Sequence, residues 1–237
     1  MKDVVIAGSR VRLAGGESRD GSGDGPLVVL LHGFGAPGDD LVPLFRQLDV
    51  PRHVRFAFPE ALIDLAELAG PGYAGARAWW MIDPSWFLPE NQGKHAERAK
   101  LVPEGLAEAR ARVVAVLEGL RAKPETTILG GFSQGAMLST DIALRAEKPF
   151  AGLTLMSGSI VALDEWQPLF ARLKGVRVMQ SHGRGDPILP FAAAERLRDF
   201  MKSAGADVRF VEFAGGHTIS NGALDALAKL VRDAFAE

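Results

Sequence analysis

Short apolar segments alternate along the chain with longer segments of helical period. The alternation is typical of a mostly parallel sheet with helices on both faces. We therefore predict an α/β fold with a central sheet of about seven strands. The predicted strands are Val4 to Leu13, Leu27 to Leu31, Val54 to Phe58, Thr126 to Leu129, Gly152 to Met156, Val176 to Gln180 and Val208 to Phe213.

The helical segments lie between these strands. After Pro103, apolar residues recur at three- and four-residue spacing from Leu106 to Leu120, which predicts a helix entered through proline that ends near Lys123. Three more predicted helices each follow a strand and a turn: Gln134 to Ala146, Phe191 to Ala204 and Asn221 to Phe235. We expect the whole chain, residues 1–237, to form one domain.

The segment 62–102 interrupts this alternation and is rich in Gly, Pro and aromatic residues. It is too long for an ordinary connection in an α/β domain, so we predict an insertion with short helices of its own. Its aromatic residues favour an apolar acyl-binding wall or a lid. A hydrophobic cluster that packs the insertion onto the domain and a contact between two copies in a homodimer remain open as alternatives. The clustered aromatic residues are Tyr73, Trp79, Trp80, Trp86 and Phe87.

Charge and composition exclude several classes of function. The chain has 27 Lys and Arg against 29 Asp and Glu, without a long run of either sign, which argues against a nucleic-acid partner. It has no Cys, so disulfides, thiolate metal sites and cysteine nucleophiles are excluded. No apolar run approaches the roughly 20 residues of a transmembrane helix, and the first residues lack a signal-peptide core. We therefore expect a cytoplasmic protein without a transmembrane segment.

A candidate nucleophile follows the strand that ends at Leu129. The sequence Gly130-Gly131-Phe132-Ser133-Gln134-Gly135 contains G-x-S-x-G between a predicted strand and a predicted helix. In such a tight turn the serine is held at a strained backbone angle, and the glycines allow strand and helix to pass closely. The alternative is a chance glycine-rich turn. The strand-turn-helix setting favours Ser133 as a nucleophile.

A serine nucleophile needs a base and an acid that orients the base. In α/β folds whose nucleophile lies on such a strand-turn-helix, the acid and the base both follow later strands, in the order Ser, acid, His. Asp186 follows the strand that ends near Gln180, and His217 follows the strand that ends at Phe213. Taken singly, Asp186 could form an Asx turn and His217 could be an ordinary surface or core histidine. Their order and placement favour the catalytic interpretation.

The other acids and histidines have simpler interpretations. Asp141, Asp164, Glu165 and Asp199 are expected to be solvated charges. His182 is expected to anchor the loop that carries Asp186, here called the acid loop, through hydrogen bonds rather than to exchange protons. The two histidines that we expect on the surface are His53 and His95. No pair of histidines has metal-ligand spacing, so no metal site is expected.

Acyl transfer also requires hydrogen-bond donors where the oxyanion forms. The N–H of Gln134, at the start of the helix after the turn, is one candidate. The segment Leu27 to Leu31 runs into His32-Gly33-Phe34-Gly35, and the N–H of Phe34 is the second. An ordinary glycine turn or a weak phosphate-binding loop remains the alternative for this segment. A dinucleotide site is disfavoured because the chain has no G-x-G-x-x-G after a strand.

These motifs together resemble the α/β-hydrolase superfamily, and more closely the phospholipase/carboxylesterase family that includes acyl-protein thioesterases. The resemblance covers most of the chain. It implies a triad of Ser133, Asp186 and His217, oxyanion donors from Phe34 and Gln134, and pocket walls near Trp79 and Trp80. The segments that carry it are LLHGFG at 30–35, AWWMID at 78–83, GGFSQG at 130–135, LMSGS at 155–159, SHGRGDPILP at 181–190 and GGHTIS at 215–220.

Departures from the family pattern concern the substrate more than the chemistry. Ala36 replaces the Asp that commonly follows the oxyanion motif. Ala136 follows the G-x-S-x-G turn at 131–135, here called the elbow, at a position where a second glycine is common. The stretch 82–102 is longer than in typical thioesterases, which weakens the inference that this chain shares their lipidated-protein substrates. The residues expected to contact substrate are Trp79, Trp80, Trp86, Phe87, Ile188 and Leu189.

We therefore expect a serine carboxylesterase that acts on a small-molecule ester or acyl substrate, with thioesters included, and needs no cofactor. A lysophospholipase or an acyl-protein thioesterase would use the same mechanism. A non-catalytic ligand-binding module on a hydrolase fold is the alternative from another class. Such a module would usually have lost a triad residue, and this sequence retains all three candidates.

Overall fold

An eight-stranded sheet forms the centre of the molecule in the computed structural model, which describes residues 1–83 and 94–236. Its strands lie in the order β1-β2-β4-β3-β7-β8-β9-β10. Strands β1, β2 and β4 pair antiparallel, and every neighbouring pair from β4 to β10 is parallel. The eight strands are β1 (Lys2–Ile6), β2 (Ser9–Gly15), β3 (Leu27–Leu31), β4 (Arg55–Pro59), β7 (Thr127–Phe132), β8 (Gly152–Met156), β9 (Arg177–Gly183) and β10 (Asp207–Phe213).

Helices cover both faces of this sheet. Residues on β3 alternate between two hydrophobic clusters: Val29 belongs to one, and Val28 and Leu30 belong to the other. A strand buried on both faces needs a continuous apolar run, which is what Leu27 to Leu31 provides. The α-helices in the described residues are α1 (Leu65–Ala69), α2 (His95–Arg98), α3 (Leu106–Gly119), α4 (Gln134–Arg145), α5 (Leu163–Trp166), α6 (Phe191–Ser203) and α7 (Asn221–Phe235).

The α/β class and the mostly parallel sheet are confirmed, with one strand more than predicted. The additional strand arises in the segment Val4 to Leu13, which was predicted as one strand and is a hairpin of β1 and β2. Its turn is made by Ala7 and Gly8, which both have positive φ angles of 49° and 80°. The prediction of one strand rests on the apolar residues on both sides of the turn and overlooks the turn signal at Gly8 and Ser9.

The described part of the segment 62–102 forms short elements. A two-stranded antiparallel sheet of β5 (Ile63–Asp64) and β6 (Arg77–Ala78) encloses helix α1 and a 3₁₀ turn at Pro71–Tyr73. Helix α2 lies near the end of the insertion. Arg77 also exchanges backbone hydrogen bonds with the loop after β3, since its carbonyl accepts from Gly35 and its N–H donates to Ala36. Strand β6, in the first half of the segment 62–102, is therefore hydrogen-bonded to the loop after β3, which carries the predicted oxyanion donor Phe34.

The sheet brings the candidate site residues to one edge. Strand β7 lies in the middle of the parallel part, with β3 on one side and β8 to β10 on the other. Because parallel strands end at the same edge of a sheet, the segments after β3, β7, β9 and β10 converge there. Within the described ranges, no helix is long and apolar enough to span a bilayer.

Candidate active site

Ser133 lies in a strained turn between β7 and α4. Its backbone angles, φ 53° and ψ −115°, fall in a region that residues with a side chain rarely adopt. The turn depends on close approach of the backbone. A Cβ added at Gly135 would lie 2.0 Å from the carbonyl oxygen of Leu31, so only glycine fits where α4 passes β3. This geometry leaves the Ser133 side chain at the cavity described below.

The structure brings Ser133, His217 and Asp186 into one hydrogen-bonded chain. Ser133 Oγ lies 2.8 Å from His217 Nε2, and His217 Nδ1 lies 2.7 Å from Asp186 Oδ2. A carboxylate accepts only, so Nδ1 carries the ring proton, and Nε2 is left to accept the proton of the serine hydroxyl. The arrangement can remove a proton from Ser133 and hold it on an imidazole.

Two neighbouring loops hold Asp186 and His217 in place. Strands β9 and β10 are in register up to their ends, where Phe213 lies opposite Gly183. Beyond the strands, the Gly185 N–H donates to the Gly215 carbonyl at 2.9 Å. The backbone thus continues to pair between the acid loop and the histidine loop. This pairing sets the separation of the two side chains independently of their own hydrogen bond.

Asp186 is held as a carboxylate by several donors. Its side chain is buried, and burial alone would raise the pKa of Asp186. The hydrogen bond from His217 and the backbone N–H groups of Leu189 and Ile188 outweigh this effect and lower the pKa below its ordinary value. The two N–H groups donate to Oδ1 at 2.9 and 2.8 Å, on the carboxylate oxygen that does not face His217.

His182 anchors the acid loop. Its Nε2–H donates to the Leu189 carbonyl at 2.9 Å and lies 3.3 Å from Asp186 Oδ2. Burial lowers the pKa of His182, against the raising effects of the Leu189 bond and the Asp186 charge. The anchoring role is an expectation from the sequence, but the approach to Asp186 is not, because the Gly-rich turn between the two residues could take many shapes.

The two predicted oxyanion donors lie beside Ser133. A Cβ added at Gly33 would lie 3.4 Å from Ser133 Cβ, which places the loop after β3 directly against the elbow. Neither the Phe34 N–H nor the Gln134 N–H donates a hydrogen bond to an acceptor in residues 1–83 or 94–236. Both residues line the same cavity as Ser133. The arrangement leaves two backbone donors available for an anion formed at this point.

The orientation of the Phe34 N–H follows from its peptide plane. The Gly33 carbonyl accepts from His32 Nδ1 at 2.8 Å and from the Ala36 N–H at 3.3 Å. In a trans peptide the C=O and N–H groups point in opposite directions, so the Phe34 N–H points away from the His32 ring. His32 is buried, and burial lowers its pKa. A neutral ring with its proton on Nδ1 therefore orients this peptide.

A cavity of about 240 Å³ opens at Ser133 and His217. Its wall is mostly apolar, and polar side chains contribute at Asp40, His95 and Arg98. Phe132 lines it and also packs on the His217 ring, with ring centroids 4.8 Å apart. A concave apolar site with a few polar groups is suited to the hydrocarbon part of a small ligand. The main apolar side chains of the wall are Phe34, Trp80, Ile82, Met137, Ile160 and Val161.

The predicted substrate-contact residues have different positions. Trp80, Ile188 and Leu189 line the cavity. Trp79 does not: it is buried, and its indole N–H donates to the His32 carbonyl. Trp86 and Phe87 lie outside the described residues.

Several cavity residues were not singled out from the sequence. Met137 and Val161 lie in segments where an apolar residue is expected to pack in the hydrophobic core. No local motif distinguishes an apolar residue that lines a cavity from one that packs in the core. His95, predicted as a surface residue, is half-buried at the cavity, where burial lowers its pKa. The distance between these residues along the chain explains why the pattern did not group them.

The expectation that Asp141 is a solvated charge is wrong. Its side chain is fully buried in α4 and accepts hydrogen bonds from Arg110 at 2.6 Å, Arg145 at 3.0 Å and the Trp166 indole at 2.9 Å. Helical position gave no hint of burial, because the partners come from three different elements. This cluster holds α3, α4 and α5 together away from Ser133.

The sequence and the fold both match known esterases. The sequence profile of the family described as Phospholipase/Carboxylesterase matches residues 20–234. Acyl-protein thioesterase 1 of Mycosarcoma maydis is 29% identical over 204 residues, which cover 77% of this chain and 78% of that protein. A probable carboxylesterase SOBER1-like of Arabidopsis thaliana is 28% identical over 207 residues, which cover 82% of this chain and 73% of that protein.

A solved structure agrees over almost the whole chain. The crystal structure of esterase PE8 superposes with a TM-score of 0.73 at 27% identity, covering 94% of this chain and 99% of that one. The profile match extends from the loop after β2 to the last turn of α7 and therefore includes every segment that forms the candidate site. The chain belongs to the phospholipase/carboxylesterase family of α/β-hydrolases.

Proposed function

We propose that the chain is a serine carboxylesterase in which Ser133 is the nucleophile, His217 the general base and Asp186 the acid that orients His217. The observation that carries the proposal is the position of the His217 ring. It lies within 2.8 Å of Ser133 Oγ and 2.7 Å of Asp186 Oδ2, beside an apolar cavity. Nucleophile, base and orienting acid in this order form the arrangement that activates a serine hydroxyl.

The reaction proceeds in two halves. Ser133 Oγ forms a bond to the carbonyl carbon of the ester while His217 Nε2 takes the hydroxyl proton. The Phe34 and Gln134 N–H groups stabilise the negative charge on the carbonyl oxygen, each worth roughly 3 to 4 kcal/mol. The bond to the leaving alcohol then breaks as His217 returns the proton to it. Water attacks the acyl-enzyme by the same route, releases the acid and restores Ser133.

The substrate is an ester whose acyl part is hydrocarbon. The cavity beside Ser133 is walled mainly by apolar side chains, Trp80, Ile188 and Leu189 among them. Each methylene buried there contributes up to about 0.8 kcal/mol, which favours acyl chains that fill the cavity. Its volume of about 240 Å³ favours a short or medium acyl chain.

Thioesters form a second candidate substrate class. The relative from Mycosarcoma maydis is named an acyl-protein thioesterase, and the same acyl-enzyme can form with a thiolate as leaving group. Parallel assays with an ester and a thioester of the same acyl chain separate the two. A thioester kcat/KM above that of the ester favours the thioesterase activity.

The proposal is tested by hydrolysis of p-nitrophenyl esters, acetate through dodecanoate, by wild type and Ser133→Ala. We expect turnover by wild type with an optimum at short or medium chains, and no burst or turnover above background by the variant. Circular dichroism verifies that both proteins are folded. Equal inactivity of both folded proteins across the series would favour a non-catalytic ligand-binding module instead.

A cytoplasmic location and a homodimer remain predictions from the sequence. So does a single domain over residues 1–237. Size-exclusion chromatography with light scattering measures the oligomeric state directly, and a mass of about twice 25.3 kDa is the result that supports a dimer.

A further inference from the structure

Trp79 lies between the two segments that carry the proposed oxyanion donors. Only 5% of the residue is exposed. Its indole Nε1–H donates to the His32 carbonyl oxygen at 2.9 Å, and its backbone N–H donates to the Gln134 side-chain Oε1 at 3.0 Å. Trp79 thus forms hydrogen bonds with the loop after β3 and with the first residue of α4.

The Gln134 side chain completes the connection on the α4 side. Its Nε2 donates to the Trp80 carbonyl at 2.8 Å, so both ends of the carboxamide bond to the Trp79–Trp80 backbone. Gln134 is 1% exposed, and these bonds are its only side-chain partners among the described residues. Because the same residue supplies a proposed oxyanion N–H, the side chain fixes the elbow relative to Trp79.

On the other side, Trp79 acts through His32. The two rings are in contact, with centroids 5.2 Å apart and planes at 33°. His32 Nε2 accepts from the Ala61 N–H at 3.1 Å, and its Nδ1–H donates to the Gly33 carbonyl at 2.8 Å. The Gly33 carbonyl belongs to the peptide that carries the Phe34 N–H. The bond from Trp79 to His32 therefore holds the group that orients this peptide.

We propose that Trp79 is a positioning residue for the oxyanion hole, which sets the position of the Phe34 N–H relative to the Gln134 N–H. It does not line the cavity and needs no contact with substrate. The inference rests on the proposed serine esterase function. Donors of this kind must be held within about 0.5 Å of their working positions, and a 1 Å error costs about 100-fold in rate.

Trp79→Phe tests the inference with a small change. Phenylalanine keeps a buried ring and the backbone N–H to Gln134, but it removes the indole donor and leaves the His32 carbonyl buried without it. We expect kcat for a p-nitrophenyl ester to fall about 10- to 100-fold, with KM within about twofold of wild type. This split arises because only transition-state stabilisation is lost.

A trifluoromethyl ketone gives an independent readout. Ser133 Oγ adds to its carbonyl carbon, the C=O π bond opens to an oxyanion in the proposed hole, and the serine proton moves to His217. The inhibition constant should rise in Trp79→Phe by the same factor by which kcat falls, since adduct and transition state use the same donors. A purely structural role for Trp79 would not couple these two quantities.

Trp166→Phe is the matched control. Trp166 is fully buried, and its indole donates to Asp141 at 2.9 Å in the cluster that joins α3, α4 and α5. The variant loses the same kind of hydrogen bond outside the proposed oxyanion hole. We expect a lower melting temperature for Trp166→Phe and kcat within about twofold of wild type.

Two results with Trp79→Phe would overturn the inference while wild type remains active. One is a Trp79→Phe variant with the same kcat as Trp166→Phe. The other is a raised KM with unchanged kcat, as expected for a pocket wall. If Trp79→Phe does not fold, Gln134→Leu breaks the connection from the α4 side and keeps the backbone N–H; unchanged kcat in that variant also overturns the inference. Inactive wild type would overturn the proposed function together with this inference.

Discussion

Asp186→Asn is expected to block the reaction by reversing the tautomer of His217. Asp186 Oδ1 accepts the N–H groups of Ile188 and Leu189, and Oδ2 faces His217 Nδ1. An asparagine at this position has one oxygen, and two backbone donors compete for it. The amide then turns its oxygen to the backbone and its NH2 to His217. Nδ1 must accept, so the ring proton moves to Nε2 and faces Ser133.

The size of the effect follows from these hydrogen bonds. To restore the working tautomer, the amide must turn and give up both backbone bonds. A backbone donor left without an acceptor costs about 1 to 3 kcal/mol, so giving up both bonds costs about 2 to 6 kcal/mol. At 1.36 kcal/mol per factor of ten, kcat should fall by about 30-fold to about 10⁴-fold. KM should change little, because in the proposed mechanism Asp186 acts on His217 and not on the substrate.

The assay is steady-state hydrolysis of a p-nitrophenyl ester over a range of pH. Asp199→Asn is a suitable control, because Asp199 is exposed and pairs with Arg198 on α6. Thermal melting checks that both variants are folded. A folded Asp186→Asn that retains more than about one tenth of the wild-type kcat would refute the tautomer argument.

Three further predictions concern stability. Gly135→Ala should lower the free energy of unfolding by about 3 kcal/mol or more, because its Cβ would meet a backbone carbonyl at 2.0 Å. Gly72→Ala is the control, because its Cβ has open space and should change the free energy of unfolding by less than about 0.5 kcal/mol. Equal urea midpoints of the two variants would contradict this prediction. Asp141→Ala should cost about 3 to 5 kcal/mol, since it leaves two arginines without their buried partner, and kcat of the folded protein should not change. Burial lowers the pKa of His32 and His182 below 6.5, so below about pH 6.5 the unfolded chain binds more protons than the folded chain. The free energy of unfolding should therefore fall as pH decreases below about 6.5, by at most about 1.4 kcal/mol per pH unit for each histidine. Melting temperatures unchanged between pH 7 and pH 5 would contradict this prediction.

Much of the fold follows from local pattern. Leu27 to Leu31 and Gly152 to Met156 have the predicted bounds, because a short apolar run between turns is a sufficient signal for a buried parallel strand. Helix α7 also has the predicted bounds, Asn221–Phe235. The order of strands was not predicted, because it depends on tertiary packing. The turn at Ala7 and Gly8 was not predicted either, because its only sequence signal is the short pair Gly8-Ser9.

The candidate triad could be placed from the sequence because each residue follows a strand at a glycine-rich turn. The supporting contacts could not. The Trp79 indole reaches His32 over 47 positions, and the Gln134 side chain reaches the Trp80 carbonyl over 54. Such contacts depend on how the insertion folds back onto the sheet. The periodicity of apolar residues along the chain does not predict how the insertion folds back.

The central claim is that Ser133 is the activated nucleophile, and covalent labelling tests it most directly. A fluorophosphonate forms a bond to a serine oxygen only when a base takes the proton and the fluoride leaves. We predict one label per folded wild-type chain, located on Ser133 by peptide mass spectrometry, and no label on folded Ser133→Ala. Labelling at another serine, or none on folded wild type, would contradict the account.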